Sequence, residues 1–468
     1  MAAGQSADAA RRGHAGGRGL EDSGFRRLRR GPKDRGIPPT LRTANVRTPR
    51  VVIVDSGMRN LGGHNFSYTQ AVQRAFQARG CAVEVLANRG LASDLAEQHH
   101  FRPTFSCGTY DTPLGHGRWR DLAYVHAQAR VFDEELDHAL RCVLGQSPDL
   151  VFSHTLADFE LLGWSRILRR LPFPGALAIV LRQTPRFREC HWLRRTLNPY
   201  WRLKPQALKR LRGHLDRRFL LCTDSQALSE DYQAVHAGRV VTLPIPLSSD
   251  LEGFTTGPLA ERYGLEEGRR LRLGYVGDAR AAKGFDLLPD LVGRVLATDA
   301  TVRFVIQCAR PGSGDDHAAA PPGLPALEDL ARQHPGAVTL IPEKLSVPEY
   351  GVLLHHLDVI LLPYVSDHYR EATSGIFAEA LALGKPVVVP EGTWMARELK
   401  ATGAGLEFVR GAPADLAAKV LAVVRDHRAH KEAAQRGSAA WRSFHSAGTL
   451  VDMLLEEAGL KGSARLGG

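Results

Sequence analysis

The sequence predicts an α/β protein built from two Rossmann-like domains that each contain a parallel sheet. Its 468 residues exceed the usual size of one domain, and this length favours two or three units. Short apolar runs without polar alternation recur along the chain, as in strands buried on both faces of a parallel sheet. Helical patterns separate these runs, which is typical of βαβ units. Because one series begins at Arg50 and another at Leu271, we expect two sheets.

Composition sets the predicted boundaries. The first residues are rich in Gly, Ala and Arg and have almost no apolar periodicity, so we expect a disordered tail there. Residues 244–270 are the expected connection between the domains. The predicted units are a disordered basic tail (1–49), an N-terminal domain (50–248), a C-terminal domain (249–438), a terminal amphipathic helix (439–458) and a second tail (459–468).

Positive charge is concentrated at the N-terminus. The formal net charge is +11, and residues 1–50 hold twelve Lys or Arg against four acidic residues. The RRLRR cluster at residues 26–30 could hold anionic lipid or nucleic acid by charge alone. No aromatic or amphipathic pattern accompanies the cluster, which favours a solubilising tail or an overcalled start codon. We therefore expect no specific nucleic acid partner.

A second basic segment spans residues 182–218. It holds twelve Lys or Arg against two acidic residues, with aromatic residues between them. Basic side chains beside amphipathic rings suit an anionic membrane surface or a lipid-phosphate acceptor, and an exposed pair of basic helices is the alternative. No apolar run approaches the length of a membrane helix, and the N-terminus has no apolar signal core. We expect a cytoplasmic protein, peripheral on the inner face of the membrane through this segment.

Two polar sites follow predicted strands of the first domain. The first strand precedes a loop with Gly62, Gly63 and His64, where the missing Cβ atoms would let a backbone approach a ligand. An ordinary turn is the alternative. A second strand, residues 149–153, ends at His154. A histidine at the carboxyl end of a strand can donate to a sugar hydroxyl, although a lone histidine is more often structural.

Residues 358–390 carry most of the functional signal. They predict a buried strand, a polar loop, a helix and a second buried strand, and ligands of parallel sheets bind where carboxyl ends of strands meet such loops. The helix begins at Thr373 or Ser374. The free N–H groups of Ser374, Gly375 and Ile376, together with the helix dipole, would suit a diphosphate.

Two glutamates flank that helix entry. Glu371 and Glu379 lie eight positions apart, so both carboxylates can face one ligand from different heights. Carboxylates bind sugar hydroxyls well because each can accept two hydrogen bonds. Two solvated surface carboxylates are the alternative.

The segment EATSGIFAEALALGKPVV resembles the E-x7-E signature of glycosyltransferase family 4, retaining enzymes of the GT-B fold that use nucleotide sugars. The resemblance spans roughly residues 51–458 and is specific only in the second half. It implies two domains facing across a cleft and a last helix that crosses back onto the first domain. The first domain would bind the acceptor and the second would bind the nucleotide-sugar donor.

The resemblance also implies roles for single residues. Glu379 would bind the nucleotide ribose, and Glu371 would hold the donor sugar. His154 would lie near the reacting carbon, with the donor phosphate acting as the base for the acceptor hydroxyl. The glycine loop at residues 62–64 would face the donor phosphate and the acceptor.

A further phosphate contact is expected after the first strand of the second domain. Family 4 enzymes usually place Gly-Arg there, with a Lys five positions after the Arg, and both cations meet the diphosphate. This chain keeps Gly277 and Lys283 but has Asp278 in place of the Arg. Arg280, in the same loop, is the candidate for the missing charge. Lys283 joins Glu371 and His154 as a predicted catalytic residue.

Absent motifs narrow the expected mechanism. The sequence contains no Asp-x-Asp and no glycine-rich P-loop. We expect neither metal nor cofactor, a UDP- or GDP-linked sugar as donor, and a saccharide or lipid-linked acceptor in bacterial glycoconjugate or polysaccharide synthesis. Two alternatives stay open. One is another GT-B enzyme, such as a sugar-nucleotide epimerase or phosphorylase, and the other is a polyanion- or membrane-binding protein with an inactive cleft.

Overall fold

A computed structural model gives the architecture of most of the chain. It describes residues 47–60, 64–109, 111, 118–143, 147–170, 175–184, 203–212, 219–236, 238–247, 253–266, 270–309 and 321–461. Most of both predicted tails, the predicted loop glycines Gly62 and Gly63, and most of the basic segment 182–218 lie outside these residues.

Within the described residues, the first sheet has seven parallel strands in the spatial order β3-β2-β1-β4-β5-β6-β7. Its strands are β1 (Arg50–Asp55), β2 (Ala82–Asn88), β3 (Phe101–Phe105), β4 (Leu150–Ser153), β5 (Ala176–Val180), β6 (Phe219–Thr223) and β7 (Val240–Thr242). Alternate residues of β1 enter separate cores on the two faces of the sheet, with Val52 and Val54 on one face and Val51 and Ile53 on the other. Burial on both faces explains why this strand is a continuous apolar run.

In the part of the chain that the structure describes, the second sheet has six parallel strands in the spatial order β10-β9-β8-β11-β12-β13. Its strands are β8 (Arg272–Tyr275), β9 (Arg303–Gln307), β10 (Val338–Ile341), β11 (Val359–Leu361), β12 (Val387–Pro390) and β13 (Gly405–Phe408). The prediction of two parallel α/β sheets is therefore confirmed.

Helices cover both faces of the two sheets. The α-helices are α1 (His64–Gln77), α2 (Ser93–Gln98), α3 (Arg118–His138), α4 (Asp158–Ile167), α5 (Leu203–Arg212), α6 (Gln226–His236), α7 (Pro258–Arg262), α8 (Leu288–Thr298), α9 (Leu324–Gln333), α10 (Val347–His356), α11 (Gly375–Ala382), α12 (Trp394–Thr402), α13 (Pro413–Arg425), α14 (His427–Phe444) and α15 (Ala447–Glu457). We call residues 50–247 the N-terminal lobe and residues 253–444 the C-terminal lobe.

The two lobes meet at the carboxyl ends of their strands. Ser225, just after β6, donates a hydrogen bond from Oγ to the backbone oxygen of Glu371 at 2.8 Å. Thr373 Oγ1 donates to Asp224 Oδ2 at 2.6 Å. Since ligands of parallel sheets bind at these strand ends, the contacts place the loop before α11 at the junction of both candidate binding edges.

The chain crosses back to the N-terminal lobe through its last helix. Arg79, which follows α1, donates from Nε to Asp452 Oδ1 at 2.6 Å and from Nη2 to the Gly448 oxygen at 2.8 Å. The predicted start of this helix at residue 439 lies inside α14, and the helical break falls instead at His445 and Ser446. Ser446 caps α15, accepting from Thr449 N at 3.1 Å.

Two strands were absent from the sequence-based prediction. β3 and β13 are edge strands of their sheets, and several of their residues are partly exposed. Pro103 also lies within β3, as edge strands tolerate. An edge strand with an exposed side lacks the unbroken apolar run that identified the central strands.

The described part of the basic segment contains an ordinary amphipathic helix. α5 buries Leu203, Leu208 and Leu211. The Lys204 ammonium is also buried and lies 3.2 Å from Asp158 Oδ1. Among the described residues, no helix has the length and apolar character needed to cross a bilayer.

Candidate active site

A corner lined by Gly277, Lys283 and Ile376 forms in the C-terminal lobe after β8. Gly277 has a φ of 113°, which favours glycine, and its N–H donates to Gln307 Oε1 at 2.8 Å. A Cβ on Gly277 would lie 2.9 Å from Lys283 Nζ and 3.2 Å from Ile376 Cδ1. The Gly277 backbone, the Lys283 ammonium and the first turn of α11 therefore converge on one small space.

The N-terminus of α11 faces this corner. Ser374 is its N-cap, and Ser374 Oγ accepts from Phe377 N at 3.4 Å. The N–H groups of Gly375 and Ile376 lie in the first turn, where no helical carbonyl can accept from them. Together with the helix dipole they favour an anion. Of the two predicted caps, Thr373 and Ser374, the structure shows Ser374.

In the loop after β8, Arg280 and Lys283 both form ion pairs with the carboxylate of Asp278. Asp278 Oδ1 lies 2.6 Å from Lys283 Nζ, and Asp278 Oδ2 lies 2.6 Å from Arg280 Nε. Burial raises the pKa of Asp278, but the two cations lower it further, so it lies below its ordinary value. Burial lowers the pKa of Lys283, which Asp278 offsets in part.

Glu379 lies one turn into α11, and its carboxylate accepts a hydrogen bond from a residue of another helix. The Tyr350 hydroxyl, from α10, donates to Glu379 Oε2. Burial raises the pKa of Glu379 to about 7, although the Tyr350 hydrogen bond opposes the rise. Its carboxylate is thus poised to change its protonation near neutral pH and to accept a ligand hydroxyl.

Glu371 lies at the end of a short 3-10 helix, Asp367–Arg370, and is 8% exposed. Its backbone oxygen accepts from Ser225, so this residue of the C-terminal lobe is held directly by the N-terminal lobe. Both glutamates of the pair thus flank the same helix entry, one beside the lobe junction and the other against Tyr350.

His154 follows β4 and is 2% exposed. Its Nε2 lies 2.7 Å from Thr69 Oγ1 and its Nδ1 lies 3.1 Å from Thr155 Oγ1. The Tyr68 ring stacks on it with a centroid distance of 4.2 Å. Burial, with a contribution from Arg182, lowers the pKa of His154 well below its ordinary value. The structure places a neutral histidine beneath an aromatic cover.

The hydrogen bonds define one consistent protonation pattern. Thr69 Oγ1 donates to Asp55 Oδ2 at 2.8 Å, so the same hydroxyl oxygen is free to accept from His154 Nε2–H. His154 Nδ1 then accepts from Thr155, whose φ of 55° is unusual for a residue other than glycine. Burial raises the pKa of Asp55 to about 6.

A second buried carboxylate lies beside this network. Glu160, in the first turn of α4, accepts from Ser56 Oγ at 2.6 Å, from Ala157 N at 2.7 Å and from Thr109 Oγ1 at 3.1 Å. Burial raises its pKa to about 7. The carboxyl ends of β1 and β4 therefore carry two acids that can exist protonated near neutral pH.

Arg182 connects His154's aromatic cover to the lobe junction. Its guanidinium carbon lies 4.5 Å from the centre of the Tyr68 ring. Its Nε lies 3.5 Å from Asp224 Oδ2, the same oxygen that accepts from Thr373. A continuous series of contacts thus runs from His154 through Tyr68, Arg182 and Asp224 to the loop before α11.

Sequence reasoning missed Tyr68, Arg182, Asp224 and Tyr350. Arg182 and Asp224 each stand within two residues of the end of a buried strand, the same signal that pointed to His154. Arg182 was interpreted only as part of a basic segment. Of the predicted loop at residues 62–64, the structure describes only His64, as the first residue of α1. Among the described residues no group of His, Cys, Asp or Glu could hold a metal ion.

A family model matches only the C-terminal lobe. Residues 270–426 match the family of glycosyl transferases group 1. The match covers β8 to β13, and so includes Gly277, Lys283, Glu371 and Glu379. A search of curated proteins found no match.

Solved structures resemble the chain over both lobes. Sucrose-phosphate synthase from Thermosynechococcus elongatus matches with a TM-score of 0.60 and 13% identity, covering 87% of this chain and 98% of that one. The architecture is the GT-B fold. Anabaena Alr3699/HepE in complex with UDP-glucose has a TM-score of 0.56 and 16% identity, with coverages of 87% and 98%. The E. coli trehalose-6-phosphate protein bound with UDP-2-fluoro glucose has a TM-score of 0.63, 13% identity, and coverages of 88% and 99%.

Proposed function

We propose that this GT-B protein is a retaining, metal-independent glycosyltransferase that moves a sugar from a UDP- or GDP-linked donor to a saccharide or lipid-linked acceptor in bacterial glycoconjugate synthesis. The observation that carries the proposal is the convergence of the Gly277 backbone, the Lys283 ammonium and the first turn of α11. This corner presents fixed positive charge and backbone donors to a diphosphate. The group 1 glycosyltransferase match over residues 270–426 supports the same chemistry.

The donor would lie along α11. Its diphosphate would bind Lys283 and the first-turn N–H groups, with Arg280 at the same loop, and positive charge there would stabilise the leaving nucleoside diphosphate. Glu379, supported by Tyr350, would accept the ribose hydroxyls. Glu371 would hold the donor sugar. Complexes with UDP-glucose and UDP-2-fluoro glucose among the compared GT-B structures support a nucleotide sugar as donor.

The acceptor would enter from the N-terminal lobe. Arg182, which lies over the buried Tyr68 ring, offers a cation at the strand ends opposite α11. His154 lies directly beneath Tyr68, and its contribution at the reacting carbon would require this cover to shift. Attachment to an anionic membrane surface through residues 182–218 belongs to the same proposal, because a lipid-linked acceptor is presented at such a surface.

Calorimetry tests the donor site. Wild-type protein is titrated with UDP, GDP, UDP-glucose and a GDP-hexose, and the tightest ligand is then titrated into Glu379→Gln. We expect the variant to lose at least about tenfold in affinity, since a ribose would lose a charged acceptor. Glu432→Gln, an exposed change on α14, is the matched control.

Product analysis tests the reaction. A retained anomeric configuration by proton NMR, unaffected by a chelator, is the expected result. Inversion of the anomeric carbon would overturn the retaining assignment. Epimerised nucleotide sugar in the absence of acceptor would favour a sugar-nucleotide epimerase, and failure of all four ligands to bind would remove the donor site.

A further inference from the structure

The loop after β8 presents an unusual charge arrangement for a phosphate site. Its two cations, Arg280 and Lys283, both contact the single carboxylate of Asp278, each at 2.6 Å. The Lys283 ammonium is mostly buried, with 10% of its side chain exposed, and it points to the corner above Gly277. The cation best placed to meet a phosphate is therefore already paired with an anion of the protein.

Hydrogen bonds that do not involve the Asp278 carboxylate shape this loop. The Asp278 backbone oxygen accepts from the Tyr275 hydroxyl at 2.9 Å. Ala279 N donates to the Ala309 oxygen at 3.0 Å, and Lys283 N donates to the Arg280 oxygen at 2.9 Å. Main-chain contacts therefore fix the loop, and the carboxylate acts mainly on the two cations.

Neighbouring segments hold Lys283 in place without Asp278. The Ala282 oxygen accepts from Val365 N at 3.2 Å and from Ser366 N at 3.3 Å. A Cβ on Gly284 would lie 1.8 Å from the Pro363 oxygen, so this turn is pressed against the loop that follows β11. The backbone of Lys283 is thus anchored beside α11 from both sides.

We infer that Asp278 is a built-in counter-ion of the phosphate corner, and that the donor's diphosphate binds in competition with the Asp278 carboxylate for Lys283 and Arg280. This inference rests on the proposed function, since it concerns the same donor site. Two cations and one carboxylate leave a net charge of +1, which holds a doubly charged diphosphate less strongly than +2 would. Asp278 therefore weakens phosphate binding and sets the affinity for the donor.

Asp278→Asn tests the inference because asparagine keeps the shape and removes the charge. UDP and inorganic pyrophosphate are titrated calorimetrically into wild type and variant. We expect both ligands to bind the variant about tenfold more tightly, since one nearby like charge is removed from the site. The gain should shrink as NaCl is raised, because salt screens the charges.

Two further variants isolate the cause. Asp329→Asn removes the same charge from an exposed ion pair on α9 and should leave both affinities unchanged. The Asp278→Asn gain should disappear in a Lys283→Met background, because two mutations acting on one contact are not additive. Asp278→Ser provides the second uncharged variant if asparagine perturbs folding, as judged by the unfolding temperature without ligand.

The outcomes separate this inference from the proposed function. Tighter binding of UDP and pyrophosphate to the uncharged variants supports it, even when wild type binds too weakly to measure. If wild type binds UDP and the uncharged variants bind it equally or more weakly, Asp278 instead positions Lys283 and the inference is overturned while the donor site stands. If neither wild type nor any variant binds UDP or pyrophosphate, both are overturned.

Discussion

Thr373 Oγ1 donates a hydrogen bond of 2.6 Å to Asp224 Oδ2 across the junction of the two lobes. Thr373 lies between Glu371 and the helix cap Ser374, within the predicted donor motif. Asp224 follows β6 and also lies 3.5 Å from Arg182 Nε. This hydrogen bond therefore holds the loop before α11 against the strand ends of the N-terminal lobe, the lobe that would bind the acceptor.

Removing this hydroxyl should loosen the lobe junction. Thr373→Val keeps the side-chain shape but leaves a buried carboxylate oxygen without its Thr373 partner, at an expected cost of about 1–3 kcal/mol. We expect a lower unfolding temperature by calorimetry. Thr298→Val, whose hydroxyl donates to a carbonyl of its own exposed helix, is the control. Equal unfolding temperatures for the two variants would show that the contact contributes nothing.

Gly277 should not tolerate a side chain. Its φ of 113° and the 2.9 Å approach of a Cβ to Lys283 Nζ predict that Gly277→Ala costs about 1–3 kcal/mol of strain and displaces the ammonium. Nucleotide affinity should fall together with the unfolding temperature.

Gly293→Ala is the matched control for that change. Gly293 lies inside α8, and a Cβ there would meet nothing within 4 Å. Alanine at this position should stabilise the protein by about 0.5–1 kcal/mol, since alanine is the better helix residue. A Gly277→Ala protein as stable and as active in binding as Gly293→Ala would refute the assigned role of Gly277.

Glu160 should make the wild-type protein gain stability as pH falls. Burial raises its pKa from 4.5 to about 7, so the folded state takes up the proton first. This contribution to the unfolding free energy is absent above about pH 7 and grows as pH falls toward 4.5, by roughly 3 kcal/mol in total.

Glutamine at position 160 cannot titrate. The difference in unfolding temperature, wild type minus Glu160→Gln, should therefore increase as the pH is lowered from 8 to 5. Glu432→Gln makes the same chemical change on the exposed surface of α14 and serves as the comparison. A wild-type advantage over Glu160→Gln that is constant across this range would contradict a raised pKa.

Arg79 should hold the last helix in place. It donates to both carboxylate oxygens of Asp452 and to the Gly448 oxygen. Arg79→Met keeps much of the apolar stem and should cost about 1–3 kcal/mol through the lost charged hydrogen bonds. We expect faster cleavage at α15 in limited proteolysis. Arg428→Met, on the exposed face of α14, should be cleaved at the wild-type rate.

The C-terminal half of the candidate site was predictable because it consists of two short segments, 277–283 and 371–379, whose patterns are each local in sequence. The helix entry at Ser374, the two glutamates and the spacing of Gly277 to Lys283 are local patterns, and local geometry follows from caps and strand ends. Position alone could not predict that Asp278 pairs with both cations. That pairing depends on the directions of the side chains in the turn at residues 278–284. The loop after β11 packs closely against this turn at Gly284.

The N-terminal half was less predictable because its residues meet only through the topology. Tyr68 comes from α1, Arg182 from the end of β5 and Asp224 from the end of β6, and no spacing in the sequence relates them. His154 was correctly placed at the end of a strand, but its cover by Tyr68 is a long-range contact. β3 and β13 escaped prediction because polar residues interrupt their apolar runs, Arg102 and Thr104 in β3 and Glu407 in β13.

Because α15 packs on the N-terminal lobe, it determines the order in which the two lobes can finish folding. Leu450, Val451, Leu454 and Leu455 belong to the same apolar cluster as Val51 and Ile53. During synthesis the strands of the first sheet emerge before the helix that covers them, and the C-terminal lobe is made between the two. The N-terminal lobe is therefore completed only after the C-terminal lobe has been made, and a chain that stops before α15 would leave one layer of the first sheet uncovered.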